Sequence, residues 1–262
     1  MNNPYSVGIV GFGAVGKNLA ELFPGAATYD PALGLTDRDA INAARFAFVC
    51  VPTPATAGGA CDTSAVAASV AWIESEVIVI RSTVPPGTTE RLAAATGKRL
   101  VFQPEFGPGE TPDHPFRHPR DIDWAILGGP RDTTGEVARL YMRVFSSALR
   151  VAHTDARTAE LTKYMENAFL AMKVAFCNEF FDIAGAMDVD YDDLRELWLM
   201  DPRIGRSHTW VHREDRGFGG HCLPKDLAAI IAAAHGAGHP PTILEAVRDA
   251  NAALRAGPGT GG

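Results

Sequence analysis

The sequence predicts an α/β fold: a Rossmann-type, mostly parallel sheet followed by an all-helical domain with one long central helix. Three observations lead to this prediction. Short apolar segments alternate with helix-forming segments, GFGAVG follows the first apolar segment, and the stretch 156–187 is rich in Ala, Leu, Met and Phe. Strands that alternate with helices favour a parallel sheet with helices on both faces. We assign residues 1–155 to the Rossmann-like domain, 156–255 to the helical domain and 256–262 to a flexible tail.

Seven short apolar segments are the predicted strands. We place them at 7–10, 27–30, 46–51, 77–81, 99–103, 124–127 and 149–152. The helices between them are predicted at 17–23, 39–45, 64–74 and 134–145. Apolar runs without clean alternation are typical of strands that are buried on both faces. The prolines of VPTP and VPPG end two of the strands, because proline has no N–H group for the sheet.

The stretch AELTKYMENAFLAMKVAFCNEFFDIAGAM predicts one long helix, because it contains no proline and only one glycine. Its apolar residues cover more than one side of the helix. We place Leu161, Met165, Ala168, Met172 and Phe176 on one side, and Phe169, Phe180 and Ile183 round another. A helix that is apolar on several sides must be covered on several sides, and a second subunit is one way to cover it. Three further helices are predicted at 190–200, 224–235 and 242–254.

Composition and charge narrow the class of function. The chain has 262 residues, of which 46% are hydrophobic and 21% charged, and its formal net charge is −7. No basic cluster indicates binding to nucleic acid or to an anionic membrane surface. The N-terminus runs directly into a strand and does not resemble a signal peptide, and no apolar run approaches the roughly 20 residues of a membrane span.

The cysteines also bear on the environment of the protein. Cys50, Cys61, Cys177 and Cys222 are spaced neither as a zinc site nor as a disulfide framework. We therefore expect no metal, and a reduced, cytoplasmic protein.

The segment GFGAVG predicts a dinucleotide-binding turn. In G-x-G-x-x-G, Gly11 allows the tight turn, Gly13 lets the backbone approach a pyrophosphate, and Gly16 lets helix and strand pack closely. Asp30 ends the next strand, where a carboxylate can hold a ribose hydroxyl, and without an adjacent arginine it favours NAD over NADP. A turn that simply needs glycine is the alternative. The predicted cofactor contacts are Gly11, Phe12, Gly13, Ala14, Val15, Gly16, Asp30, Pro52, Thr53, Ser82 and Thr83.

The segment GFGGHCLPKD raises the question of whether Cys222 packs or reacts. Most cysteines are small buried hydrophobic residues. Pro224, however, fits the first turn of a helix, which places Cys222 at or just before an N-terminus, where free N–H groups favour a thiolate. The preceding glycines allow a ligand or another backbone segment to come close. Asp226 is either a cap partner for this helix or a carboxylate close to the thiol. Local sequence leaves both roles of Cys222 open.

Two further sets of residues are candidates for the site. Lys163 and Asn167 are four residues apart and share a helix face, so they form either a cation and amide aimed at an oxyanion or ordinary polar contacts. Thr83 and Glu105 follow two predicted strands, and the carboxyl ends of parallel strands face the ligand crevice. Arg203, in DPRIGR, is either an anion clamp or a solvated surface residue.

The chain resembles the nucleotide-sugar 6-dehydrogenases, which are the UDP-glucose and GDP-mannose dehydrogenases. The matching stretches occur in the order found in the family and span nearly the whole chain. They are GFGAVG, FVCVPTP, RSTVPPGTT, QPEF, AELTKYMENAFLAMKVAFCNE, DPRIG and GFGGHCLPKD.

The resemblance implies an NAD-dependent oxidation of a sugar C6 alcohol to a carboxylate in two hydride steps. Cys222 attacks the intermediate aldehyde, the resulting thiohemiacetal is oxidised to a thioester, and water hydrolyses the thioester. Lys163 stabilises oxyanion charge with Asn167 as its partner, and Asp226 orients water and tunes Lys163. Glu105 is the implied acid and base, and Thr83 positions a water. The implied substrate contacts are Glu105, Phe106, Lys163, Asn167, Arg203 and Gly219.

The resemblance also implies partners. The long helix is expected to form a homodimer core, and Arg203 to reach the sugar in the neighbouring subunit's site. Family members are longer, so we expect a shortened form without the C-terminal nucleotide-sugar-binding domain, and a separate chain that completes the substrate site is one possibility. Residues 107–110, GPGE, replace a leucine, a charged residue and E-G of the family's substrate loop.

Two alternatives remain open. One is a non-catalytic or partner-dependent NAD-binding module. The other is a one-hydride hydroxyacid dehydrogenase, which needs no cysteine nucleophile, so that Cys222 argues against it.

Overall fold

The computed structural model describes residues 5–107, 116, 118–145 and 149–256. Its contacts divide the chain into two compact units. The first comprises the chain up to Thr56 together with Cys61–Lys163, and the second comprises Ala57–Ala60 together with the chain from Tyr164. The long helix, α6 (Ala156–Ala186), begins in the first unit and continues in the second.

Within the described residues, the first unit is built on one sheet of seven strands, all at the predicted places. They are β1 (Val7–Val10), β2 (Ala27–Tyr29), β3 (Phe46–Val49), β4 (Val77–Ile80), β5 (Leu100–Phe102), β6 (Trp124–Gly128) and β7 (Arg150–Thr154). Their order is β2-β1-β3-β4-β5-β6-β7. Every neighbouring pair is parallel except β5 and β6, which pair antiparallel. The predicted mostly parallel, Rossmann-type sheet is confirmed.

Helices cover both faces of this sheet. They are α1 (Ala14–Leu22), α2 (Arg38–Asn42), α3 (Ser64–Trp72), α4 (Thr88–Thr96) and α5 (Arg131–Phe145). One apolar cluster joins α1 and α5 to the sheet through residues such as Leu19 and Val137, and a second joins α2 and α3 through residues such as Ile41 and Val70. The continuous apolar runs of β1, β3, β4 and β5 are therefore buried on both sides, as the sequence predicts, whereas the edge strands β2 and β7 are only partly buried.

Helix α4 was not among the helices predicted from the sequence. It starts after the glycine at its N-cap, Gly87, which has φ of 88° and no side chain with which to cap the helix. The capping oxygens come instead from Glu160 of α6, whose carboxylate accepts from the N–H groups of Gly87 and Thr89. A helix start that is stabilised by such a distant residue leaves little local signal.

The second unit is helical. After α6 come α7 (Tyr191–Trp198), α8 (Leu223–Gly236) and α9 (Thr242–Ala256). Asp190 caps α7 by accepting from the N–H groups of Asp192 and Asp193. The buried side of α6 packs through Ala171 and Val174 in a cluster that also contains Leu227 of α8 and Val247 of α9. The predicted helical region with one long helix is confirmed. Within the described residues, no helix combines the length and the hydropathy that a membrane span requires.

The apolar faces of α6 differ in one respect from the prediction. Ala168, which we placed beside Met165, is buried, whereas Phe169, which we placed on another side, is 53% exposed. The exposed apolar residues follow one stripe with steps of three, four or seven residues. They are Leu161, Met165, Phe169, Phe176, Phe180, Ile183 and Met187.

Candidate active site

The three glycines of the first unit's turn meet different surroundings. Gly11 has φ of 91°, and a Cβ there would lie 2.6 Å from the carbonyl oxygen of Cys50. A Cβ at Gly16 would collide with the carbonyl oxygen of Gly11. Gly13, in contrast, has no atom within 4 Å of the place that a Cβ would take. The fold itself therefore requires Gly11 and Gly16, whereas Gly13 leaves open space above the turn.

The N-terminus of α1 faces this open space without a capping side chain. Gly13 is its N-cap residue, and no acidic side chain lies in its first turn, which contains Ala14, Val15 and Gly16. Helix N–H groups without such caps are a favourable place for a phosphate.

Asp30 lies beside the same turn. Its Oδ2 accepts a hydrogen bond of 2.8 Å from the N–H group of Phe12, and its Oδ1 accepts one of 3.1 Å from the N–H group of Ala32. The carboxylate thus ties the glycine turn to the end of β2, where the sequence predicts a ribose contact.

The predicted cofactor contacts after β3 and β4 lie in two loops that are hydrogen-bonded to each other. The Ser82 hydroxyl donates to the carbonyl oxygen of Val51 at 2.7 Å, so Ser82 holds the loop after β3. Thr53 is buried and Pro52 is exposed. The Cys61 thiol, which the sequence does not point to, donates to the carbonyl oxygen of Thr83 at 3.6 Å.

Glu105 lies in a buried polar network. Its Oε2 forms an ion pair with Arg81, and its Oε1 accepts from the N–H group of Gly107 at 2.5 Å. Arg81 also donates to the Tyr141 hydroxyl at 3.3 Å, and that hydroxyl donates to Gln103 at 2.6 Å. Sequence reasoning missed Arg81, although a cation directly after the apolar run VIVI was a possible signal. The ion pair fixes the position of the Glu105 carboxylate.

Phe106 and Lys163 lie together in the same unit. The Lys163 Nζ atom is 4.9 Å from the centroid of the Phe106 ring, a cation–π contact. Phe106 is buried and packs against Trp124 at 4.8 Å between ring centroids. Of the altered loop at 107–110, only Gly107 belongs to the described residues; Pro108, Gly109 and Glu110 lie outside them.

In the second unit, Cys222 is the N-cap residue of α8, and its side chain is exposed. Pro224 lies in the first turn of the helix, as the sequence predicts. One turn further, the buried carboxylate of Asp226 accepts from Asn167 Nδ2 at 2.5 Å and from Lys225 Nζ at 2.5 Å. Folding thus joins Asn167 and Asp226, two candidates that are 59 residues apart.

Arg203 and Gly219 are the two remaining residues predicted to contact the substrate. Arg203 lies at the surface with 86% of its side chain exposed, and its guanidinium donates to Asp201. Gly219 lies next to Arg255, whose Nη1 would be 3.1 Å from an added Cβ.

Sequence reasoning missed Glu160, which lies three residues before Lys163. Its side chain is fully buried and accepts from the N–H groups of Gly87 at 2.5 Å and Thr89 at 2.8 Å, and from the Thr89 hydroxyl at 2.6 Å. Burial raises the pKa of Glu160 above its ordinary value of 4.5, and the three hydrogen bonds act against this rise. The first turns of α6 contain several other polar residues, so nothing in the local sequence singles out Glu160.

The raised pKa of Glu160 makes stability depend on pH. A carboxyl whose pKa is higher in the folded state than in the unfolded state adds to the free energy of unfolding at low pH. This contribution is complete below the unfolded pKa of 4.5 and is lost as pH rises through the folded pKa. The amide that Glu160→Gln introduces does not titrate. We expect the free energy of unfolding of the wild type, minus that of Glu160→Gln, to fall as pH rises through this window. Urea unfolding at a series of pH values measures it, and a difference that rises with pH would contradict the assignment.

The cysteines are expected to react in a definite order with iodoacetamide. Burial raises the pKa of the Cys50 thiol to about 12, although Arg81 opposes this. At pH 8 such a thiol is ionised in about one molecule in 10⁴, and the thiolate is the nucleophile. Exposed Cys222 should therefore be alkylated before Cys50, and also before Cys177, whose pKa burial raises as well. Peptide mass spectrometry over time measures the order, and labelling of Cys50 as fast as that of Cys222 would contradict it.

Comparison with known proteins decides the family. Residues 17–145 match the NAD binding domain of the UDP-glucose/GDP-mannose dehydrogenase family, and residues 157–253 match the central domain of the same family. The chain belongs to this family. The first unit is accordingly the NAD-binding domain of a UDP-glucose/GDP-mannose dehydrogenase family member. The glycine turn lies just before the matched range, and its assignment rests on its own geometry.

Individual relatives agree with this assignment. The chain is 33% identical over 256 residues to the UDP-glucose 6-dehydrogenase of Pseudomonas aeruginosa, covering 86% of this chain and 55% of the relative. It is 33% identical over 238 residues to UDP-glucose 6-dehydrogenase AglM of Haloferax volcanii, covering 82% and 54%. A solved UDP-glucose dehydrogenase of Pyrobaculum islandicum superposes with a TM-score of 0.78 at 25% identity, covering 95% of this chain and 68% of that one. The chain spans about half the length of these two curated relatives.

Proposed function

We propose that the protein oxidises the C6 alcohol of a sugar, most simply of a nucleotide sugar, to the carboxylate in two successive steps, with Cys222 as the nucleophile. The observation that carries this proposal is the exposed Cys222 thiol at the N-terminus of α8, one turn before the buried pair of Asn167 and Asp226. NAD, when bound, accepts one hydride in each of the two oxidations. The relatives named UDP-glucose 6-dehydrogenase favour the same substrate class.

The residues of the first unit fit NAD. The open space at Gly13 and the uncapped N-terminus of α1 suit a pyrophosphate. Asp30, which already orients the turn through Phe12, retains further acceptor capacity for a ribose hydroxyl. Thr53, Ser82 and Thr83 are the proposed contacts at the ends of β3 and β4, with Ser82 acting through the loop that it holds.

Cys222 forms the covalent intermediates. Its thiolate bonds to the carbonyl carbon of the intermediate aldehyde, and the carbonyl electrons move to oxygen to give a thiohemiacetal alkoxide. Loss of hydride from that carbon gives a thioester. Water then adds to the thioester, the carbon–sulfur bond breaks, and the carboxylate leaves while Cys222 returns to its starting state. A thiolate is both a strong nucleophile and a good leaving group, so one side chain can serve in both of these steps.

Polar groups on α6 and α8 act on the developing charge. The Asn167 amide is oriented by its bond to Asp226, so that its position is fixed before the reaction. We assign Lys163 to the oxyanion that forms at the reacting carbon, and Asp226 to the orientation of Asn167 and of a water. Glu105, held by Arg81, is the proposed proton acceptor, with Thr83 positioning water.

The long helix is the proposed surface for a homodimer. Beyond this stripe of exposed apolar residues, which ends at Met187, Leu197 of α7 and Met200 just after α7 are also exposed. Phe176, Phe180 and Trp198 border an apolar cavity of about 260 Å³ in the same unit. A second copy that covers this surface would remove a large apolar patch from water.

Phe180→Glu is expected to convert this dimer into a monomer, because it buries a charge without a partner at the proposed interface. Glu179→Gln, on the adjacent exposed residue, is the matched control and should leave the mass unchanged. Light scattering during size-exclusion chromatography measures both variants. A wild type that is monomeric at micromolar concentration would contradict the proposed dimer.

The stoichiometry of NADH tests the proposed function. We expect two molecules of NADH for each molecule of sugar acid when the protein is incubated with NAD and the right member of a panel of sugars and sugar nucleotides. One molecule of NADH for each molecule of a ketone or aldehyde product would sink the proposal and favour a one-hydride dehydrogenase. NAD binding without turnover of any member would favour a module that requires a partner chain.

A further inference from the structure

We infer that Asn251 of α9 and Asn178 of α6 are positioning residues, which together fix the glycine loop that leads into Cys222. This inference rests on the proposed role of Cys222 as the nucleophile. Neither asparagine belongs to the candidate residues discussed above, and both lie in the same unit as the loop.

Asn251 binds both backbone groups of one loop residue. Its Oδ1 accepts from the N–H group of Phe218 at 2.7 Å, and its Nδ2 donates to the carbonyl oxygen of Phe218 at 3.0 Å. The side chain of Asn251 is 8% exposed, and Phe218 is 4% exposed. A buried amide that pairs with both groups of one residue sets the orientation of the backbone as well as its position.

Asn178 binds the two loop residues that precede Phe218, which are Gly217 and Arg216. Its Oδ1 accepts from the N–H group of Gly217 at 3.2 Å and from Arg216 Nε at 2.7 Å. Its Nδ2 donates to the carbonyl oxygen of Val174 at 2.9 Å, one turn earlier in α6, which fixes the orientation of the amide. Arg216 also pairs with Asp182 at 2.9 Å. Three consecutive loop residues, from Arg216 to Phe218, are thus bound by two amides on different helices.

The close contact between Asn251 and the loop explains why residue 217 is a glycine. Gly217 has φ of 76°, and a Cβ there would collide with Oδ1 of Asn251. Gly220 also has a positive φ of 74°, yet no atom lies within 4 Å of its would-be Cβ. Gly217 is therefore required by the contact with Asn251, whereas Gly220 is required only by the path of the backbone.

Asn178 and Asn251 bind the loop only a few residues before Cys222, so they can influence the position of its thiol. Phe218 is the last buried residue before Cys222, and residues 220–222 are exposed. After Cys222 the chain is held again by α8, through the buried Asp226 and Leu227. The backbone is thus held before Cys222 by the two asparagine amides and after Cys222 by α8, and the exposed thiol lies between these two supports. Catalysis requires reacting atoms within a fraction of an ångström of their productive positions, and loss of the amides would relax one of the two supports.

Three variants test this inference, together with a control. Asn251→Ala removes both bonds to Phe218, whereas Asn251→Asp keeps the acceptor and loses the donor. Gly217→Ala leaves both amides intact but pushes the loop away from Asn251. Asn42→Ala, which removes a side-chain acceptor for the N–H group of Glu74 in the first unit, is the matched control.

We expect kcat for acid formation to fall at least about tenfold in Asn251→Ala and Gly217→Ala, and less in Asn251→Asp, while KM for NAD changes less than about twofold. The ratio of NADH to acid should rise above two, because aldehyde escapes before Cys222 captures it. Asn42→Ala should keep all wild-type values. A kcat within about twofold of wild type in folded Asn251→Ala and Gly217→Ala would overturn the inference.

Hydrogen exchange separates this test from the test of the proposed function. If the wild type turns over no sugar, the proposed function has failed, and exchange of the amides in 216–222 still decides whether the loop is fixed. We expect that exchange to accelerate at least about tenfold in Asn251→Ala and not in Asn42→Ala. Unchanged exchange would overturn the positioning role. If Asn251→Ala does not fold, Asn251→Asp and Gly217→Ala decide the outcome by the same measurements.

Discussion

Replacing Cys222 by serine is expected to stop acid formation. The proposed thioester cannot form without the thiol, and an un-ionised serine hydroxyl is a far weaker nucleophile than a thiolate. We expect kcat for the acid to fall by on the order of 10³-fold or more, in line with other removals of a nucleophile. NAD binding should be unchanged, because Cys222 lies outside the NAD-binding domain.

NADH absorbance and chromatography of the sugar products measure this effect together. Cys177→Ala is the matched control, since Cys177 is buried against Tyr191 in the same unit and has no proposed part in the reaction. It should keep the wild-type kcat. Full production of acid by Cys222→Ser would contradict the covalent mechanism.

Gly13→Ala is expected to weaken mainly the binding of NAD, whereas Gly11→Ala is expected to reduce mainly the stability of the fold. Gly13→Ala should weaken NAD binding at least about tenfold, because its methyl group enters the space where the backbone approaches a pyrophosphate. Its free energy of unfolding should stay within about 0.5 kcal/mol of wild type, since nothing lies within 4 Å of the added Cβ.

Gly11→Ala should instead destabilise the fold. The new Cβ lies 2.6 Å from the carbonyl oxygen of Cys50 at a φ of 91°. Overpacking and the left-handed backbone together cost about 3 kcal/mol or more. Urea unfolding and calorimetric titration with NAD measure both variants. Wild-type affinity for NAD in Gly13→Ala would contradict the proposed place of the pyrophosphate.

The strands could be predicted because each carries its own signal. Runs such as VGIV, FAFV and VIVI are apolar without interruption, and glycine or proline ends several of them. Helix α4 could not be predicted in this way, because the oxygens that cap it belong to Glu160, which lies 73 residues after Gly87. The sides of α6 were assigned wrongly at Ala168 and Phe169, since a helix that is apolar almost all round gives no single direction for its core.

The residues of the candidate site also differ in how far their roles could be predicted from the local sequence. Cys222 and the glycine turn belong to compact motifs whose local geometry can be read from neighbouring residues. The bonds of Asn167 to Asp226, and of Glu105 to Arg81, are made only when distant segments meet. Asn178, Asn251 and Glu160 were missed for this reason: each is an ordinary polar residue on a helix, and its importance lies in the backbone groups that it binds.

The most direct test of the central claim is mass spectrometry of the protein after brief incubation with NAD and a panel of nucleotide sugars, followed by acid quenching. We predict an acyl adduct on the peptide that contains Cys222, formed with one member of the panel and absent in Cys222→Ser. Formation of sugar acid and two NADH with Cys222 unmodified at every time, and with Cys222→Ser fully active, would contradict the account.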